Sequence, residues 1–183
     1  MMRPTREQAW EILTEYTKSE ALLQHALAVE AVMRHFAELA GEDPDPWGVI
    51  GLLHDLDYAE TAEDFERHGV VTAELLADEL DDEQIHAILA HAGKVERETV
   101  MDAALYAADP TTGFIVAAAL VRPDKALANV ELRSLRKRWK EKAFARGASR
   151  EQMAACEEIG LERDEFLALA LDAMQARSGD VGL

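Results

Sequence analysis

Apolar residues recur along this chain at helical rather than strand spacing, with polar caps between the runs. Thr5 followed by Gln8 has the form of a capping box and predicts a first helix to about Tyr16. Ser19 stands where it can cap a longer helix, on which Leu22, Leu23, Ala26, Val29, Val32, Met33 and Phe36 keep helical spacing until Gly41 stops it. Asp45-Pro46 reads as an N-cap followed by proline at the first helical position. The run behind it, 47–54, is apolar nearly all round and is predicted to be buried. Residues 61–67 are polar and short, a loop or one helical turn, and His68-Gly69 leads into a helix over 70–80. Asp81 or Asp82 caps the next helix, 83–91, which Gly93 closes. A helix from about Thr99 runs to a break at Asp109-Pro110, resumes over 114–121 and stops at Arg122-Pro123. Leu132, Leu135, Trp139 and Ala143 form one stripe of a basic helix, Ser149 with Gln152 is a further capping box, and 162–176 closes the chain. Strand signals and internal repeats are lacking. The pattern predicts a single all-α bundle of about eight to ten helices.

A chain of 183 residues can bury a proper core without staples. Cys156 is the lone cysteine, so no intramolecular disulfide and no cysteine-built zinc site can form, and a reducing compartment is the natural reading. The start, Met1-Met2-Arg3-Pro4-Thr5-Arg6-Glu7, lacks the apolar core of a signal peptide, and the run 114–121 is too short to span a bilayer. The expectation is a cytoplasmic protein with no membrane partner. A net charge of −17 argues against a nucleic-acid groove, which needs cationic surface. That charge is uneven: residues 122–150 carry ten Lys and Arg against Asp124, Glu131 and Glu141, a local +7 in a remainder of −24.

The chemistry is concentrated in Gly51-Leu52-Leu53-His54-Asp55-Leu56-Asp57, where two strong metal-ligand types sit side by side at the end of an apolar run. Imidazoles and carboxylates suit Fe, Mn, Co, Ni, Zn or Mg. Adjacent side chains on a helix point about 100° apart, so both reach one ion most easily at a helix end. Taken residue by residue, plainer readings compete. Asp55 and Asp57 could be solvated residues at a helix terminus, and His54 and His25 core histidines satisfied by carbonyls. His68 reads as a helix start, and Asp109 as an N-cap before proline. His86 and His91 flank the buried face of their helix at similar angles, so periodicity does not choose between them. His35 reads as surface.

The order His25, His54-Asp55, Asp109 over a helical chain resembles the HD superfamily of metal-dependent phosphohydrolases, across roughly residues 19–109. His68 and His91 resemble the extension of two-metal members, and the family pattern selects His91 over His86. A closer likeness, to a group of predicted HD hydrolases, reaches Leu105-Tyr106-Ala107-Ala108-Asp109 and Ala119-Leu120-Val121-Arg122-Pro123-Asp124-Lys125. The resemblance implies an HD-type core over 19–125 with a helical extension over 126–183. It implies one or two divalent ions, with Asp55 bridging, His25, His54 and Asp109 on one side and His68 and His91 on the other. Asp55 and His54 are then the catalytic pair, and the substrate a small phosphorylated compound, nucleotides included. Arg122 and Lys125, with Arg133, Arg136 and Lys137 as the wider basic surface, are candidates for binding its phosphate. Two departures stand out. Asp57-Tyr58 occupies the place where many phosphodiesterase members carry Gly-Lys, which argues against cyclic-dinucleotide cleavage, and Pro110 stands where the closer group would have an acidic residue. The same six-ligand order also resembles HD-type two-iron oxygenases, and a non-catalytic metal-binding module is a third reading.

Overall fold

Capping chemistry sets most of the helix starts in the computed structural model, which describes residues 3–182 and contains no strand among them. Helix α1 spans Arg6–Tyr16 behind a complete Thr5/Gln8 capping box, and α2 spans Glu20–Ala40, ended by Gly41 at φ +77°. Helix α3 is Pro44–Leu53, α4 the single turn Tyr58–Thr61, α5 Val70–Leu75, and α6 Asp82–His91. Helix α7 is Val100–Leu120, α8 Leu132–Trp139, α9 Arg150–Ala154, α10 Arg163–Ala176 and α11 Ser178–Val181. Asp81 with Gln84 and Thr99 with Asp102 close capping boxes on α6 and α7.

Four boundaries differ from the sequence reading. Helix α3 starts at Pro44 because Asp43, not Asp45, caps it, its carboxylate accepting from Asp45 N at 3.0 Å. Pro46 then falls in the first turn, where its missing N–H breaks no intrahelical bond. Helix α5 ends at Leu75 rather than at Leu80. Helix α8 ends at Trp139, so Ala143 lies beyond it and is exposed. The largest difference is at Asp109-Pro110, which does not break the chain: α7 runs through it for 21 residues. The proline forfeits its own bond to Tyr106 O, while the Thr111 hydroxyl donates to Ala107 O at 2.7 Å and that of Thr112 to Asp109 O at 2.9 Å. Burial of Phe114 and Ile115, both fully enclosed, offsets the defect. This continuity makes α7 long and apolar enough to cross a membrane, with a mean hydropathy of 1.3, but 67% of that window is buried inside the protein, as befits a core helix.

One cluster of buried side chains runs from Ala9 to Met174. Its centre is the crossing of α2 and α3, where Gly51 lies against the backbone of Val29 and Glu30. Beside it the fully buried Glu30 carboxylate takes Arg6 at 2.7 and 3.0 Å and Arg34 at 2.9 Å, tying α1 to α2. Phe36 stacks on Phe166 of α10 at 5.1 Å, so the C-terminal helices pack on the same core.

Candidate metal centre

Four helices and two turns each deliver a ligand-type side chain to one point. His25 comes from α2, His54 caps the C-terminus of α3, His91 ends α6, and Asp109 projects from the middle of α7. Asp55 follows His54 in the turn where the helix stops, and His68 sits just before Gly69, whose φ of +76° turns the chain into α5. A Cβ on Gly69 would come 2.5 Å from Ala92 Cβ, so the close approach of this turn to the end of α6 also requires glycine.

The Asp55 carboxylate lies at the centre. Its Oδ2 is 3.6 Å from Nε2 of both His25 and His54, and its Oδ1 is 3.5 Å from His68 Nε2 and 3.3 Å from His91 Nε2. Asp109 Oδ1 lies 3.2 Å from His25 Nε2 and 4.0 Å from His54 Nε2. Two groups result, His25, His54, Asp55 and Asp109, and Asp55, His68 and His91, each with donor atoms within 4.8 Å of one another. Asp55 belongs to both, one oxygen turned to each. His86, on the same helix as His91, is directed elsewhere: its Nδ1 pairs with Asp102 at 3.0 Å.

The far side of every imidazole is fixed. His54 Nδ1 bonds Gly51 O at 2.9 Å, His91 Nδ1 bonds Ile88 O at 2.5 Å, His68 Nδ1 meets Asp57 Oδ1 at 2.9 Å, and His25 Nδ1 meets Thr112 Oγ1 at 3.3 Å. A carbonyl only accepts, so His54 and His91 must carry their proton on Nδ1, which leaves the Nε2 lone pair facing inward whenever the ring is neutral. His54 Nε2 is buried and without a hydrogen-bond partner. A buried acceptor with no donor is costly unless a cation meets it, and the same geometry aims His91 Nε2 at a carboxylate oxygen. The donor set therefore fits a divalent metal.

Titration follows the same geometry. Burial pushes the His54 pKa down to about 4. Burial also opposes charge on His25 and His91, but the hydrogen bonds that the protonated rings donate to Asp109 and Asp55 outweigh it and hold both above the ordinary imidazole value. Asp55 feels burial too, yet the surrounding His54, His91 and His25 keep its carboxyl well below the usual range, and His25 does the same for Asp109. In metal-free protein His54 binds a proton more readily unfolded, near pH 6.5, than folded, near 4. Its contribution to stability is therefore complete above pH 6.5 and lost as the pH falls to about 4, a loss of about 3 kcal/mol. Thermal melts in chelator across that range should show the decline, with a shallower slope in His54→Asn.

Asp57, which reads in sequence as a solvated residue at a helix end, is 2% exposed and accepts from Gly69 N at 2.7 Å and Thr72 N at 3.1 Å besides meeting His68. It fixes the ring that faces Asp55. Asp57→Ala should weaken metal binding at the His68 group by roughly 10- to 100-fold in a metal titration, with little change at the other group. Thr112 holds His25 in the same way, and nothing in its spacing marks it.

The ligands open onto a cavity of about 670 Å³. Of the converging side chains, Asp109 and His25 are the most exposed, at 28% and 22%, while His54 and His91 are buried. Arg122, Lys125, Arg133, Arg136 and Lys137 are not among the residues that line it. Arg122 is held in a bidentate pair by Asp124 at 3.0 Å, Arg133 pairs with Glu131, and Arg136 reaches Asp164 at 2.7 Å. The basic segment does reach the cavity, but through Ala145, Gly147 and Ala148, followed by Gln152 of α9.

No curated protein and no solved structure matches the chain. A family model described as HD domain matches residues 22–128. That match takes in more than half of the chain and all six converging side chains, from His25 to Asp109, and the protein belongs to the HD domain family.

Proposed function

We propose that this protein is a metal-dependent phosphohydrolase acting on a small phosphoester. The observation that carries the reading is Asp55, whose two oxygens serve two separate ligand groups at the floor of a ligand-sized cavity. Divalent cations held there would lower the pKa of water and clamp phosphoryl oxygens as Lewis acids. The protein's own groups do the rest. Asp55 stays ionised and lends one oxygen to each group. His54 stays neutral and offers its Nε2. Asp109 and His25, the most exposed of the six, are where the phosphoryl end of a substrate would arrive. The site's two carboxylates, Asp55 and Asp109, repel phosphate on their own, so turnover requires the metal charge that offsets them.

Elemental analysis of the purified protein, coupled to a phosphate-release screen of small phosphoesters, tests the proposal. Iron-loaded protein that consumes oxygen and releases no phosphate would replace it with the oxygenase reading. The two groups make distinct claims on stoichiometry. His91→Ala should reduce the metal-to-protein ratio by about half, since it leaves only Asp55 and His68 in the second group. His86→Ala should leave the ratio unchanged, because that ring serves Asp102. A ratio near one in the unaltered protein would mean that a single group is used.

A further inference from the structure

Away from the ligand side chains, the cavity wall carries no Lys or Arg among the described residues. Lys94, Arg97 and Arg150 contact lining residues but do not themselves line it. Lys94 Nζ donates to Phe65 O at 2.5 Å. Arg97 lies 4.2 Å above the Tyr106 ring and forms a bidentate pair with Glu158 at 2.9 and 2.6 Å. Arg150 donates to the carbonyls of Phe144, Ala145 and Ala148 at 2.9, 3.4 and 2.8 Å, and so holds the wall loop in which Ala145 adopts a φ of +47°. What faces the cavity instead is uncharged: the rings of Tyr58, Phe65 and Tyr106, the small residues Gly113 and Ala117, and Gln152. Phe65 is 59% exposed, a large apolar surface left open at the mouth of a polar site. The Gln152 side-chain amide makes no hydrogen bond among the described residues; its bonds are backbone ones, its N–H donating to Ser149 Oγ and its carbonyl accepting from Ala155 N.

We infer that the site takes a phosphomonoester whose remaining body is an uncharged ring system of up to nucleoside size, and selects against the di- and triphosphates of the same body. This rests on the phosphohydrolase reading for the location of the phosphate. One phosphate would be neutralised by the metal charge that the His and Asp side chains would hold. Each further phosphate would lie against a wall with no cation, beside Asp109, in a chain of net charge −17. A ring packs on Phe65, Tyr58 and Tyr106, and the free Gln152 amide, both donor and acceptor, can read a neutral polar edge. The volume of about 670 Å³ suits a body of that size.

The test uses full-length protein with manganese at a fixed free concentration, and the 5′-mono-, di- and triphosphates of adenosine and of thymidine, phenyl phosphate, and glycerol 3-phosphate as a ring-free monoester. Calorimetric binding and phosphate release are read separately. The expected result is a monophosphate with a ring binding about tenfold or more tightly than its own di- and triphosphate and than glycerol 3-phosphate. Gln152→Lys, which puts a cation on the wall, should narrow the gap to the polyphosphates. Equal or tighter binding of the polyphosphates, or of glycerol 3-phosphate, overturns the inference, and so does a complete lack of binding. Phosphate released fastest from a triphosphate overturns the selectivity and leaves the hydrolase reading intact. Selective binding of monophosphates without release of phosphate leaves the selectivity standing and removes the hydrolase reading.

Discussion

Asp55→Asn should empty both ligand groups at once and lower phosphate release about a thousandfold or more. The carboxylate is the one side chain common to the two groups, and each of its oxygens lies 3.3–3.6 Å from two imidazole nitrogens. An amide keeps the shape, removes the negative charge that balances the cations, and turns one oxygen into a donor aimed at lone pairs. Lewis-acid stabilisation is worth several kcal/mol of barrier, and each 1.4 kcal/mol is about tenfold in rate, hence the magnitude. The fold should survive, because Asp55 is ringed by imidazoles that can each lose a proton when the carboxylate is gone. Metal content by elemental analysis, phosphate release and thermal melting in chelator separate the two effects. A variant that retains both its metal and its activity would end the hydrolase proposal, whereas a variant that melts far below the unaltered protein in chelator would mark Asp55 as a structural residue.

The parts of this molecule written in short-range chemistry could be read from the sequence. Thr5 with Gln8 acts within one helical turn, and the apolar run 47–54 is buried as its all-round pattern predicts. The choice between Asp43 and Asp45 as the α3 cap could not be read, because both precede a proline and present the same local signal. The course of α7 was hidden for the opposite reason. Asp109-Pro110 is a strong local breaker, and only the tertiary burial of Phe114 and Ile115 and the threonine hydroxyls carry the helix across it. That override places Asp109 inside a helix, facing His25, instead of at a helix start. The six side chains that converge are singled out through family resemblance, but the residues behind them are not. Asp57 becomes a support for His68 only when residues 69–72 fold back over it, a contact made 12 to 15 positions away. Charge pattern alone does not show which residues of the basic segment line the cavity. Arg136 finds its partner in Asp164, far along the chain, while the wall of the cavity takes the segment's small residues.

The second large effect is expected at Gly51, where no ligand chemistry is involved. Glycine in a helix interior costs about 1 kcal/mol relative to alanine, so on local propensity Gly51→Ala should stabilise α3. Packing opposes this. A Cβ at residue 51 would lie 2.8 Å from Glu30 Cα, 2.9 Å from Glu30 N and 3.0 Å from the carbonyl carbon of Val29. Carbon contacts prefer about 3.5–4.0 Å, and all three atoms are backbone, so no rotamer change can relieve them. Helices α2 and α3 must move apart, and overpacking of this kind costs roughly 1–3 kcal/mol or more, which at the upper end outweighs the propensity gain. The damage should reach the site as well. His25 and His54 sit on these two helices with ring centroids 5.3 Å apart, and the Gly51 carbonyl itself holds His54 Nδ1. Thermal melting should therefore show a drop of several degrees, and a metal titration weaker binding at the His25 group. Gly113→Ala is the matched control, since that glycine also lies within a helix but has no atom within 4 Å of its added Cβ. It should gain up to about 1 kcal/mol from propensity alone. If Gly51→Ala melts as high as Gly113→Ala, the two helices do not meet where the structure puts them, and the pairing of His25 with His54 loses its support.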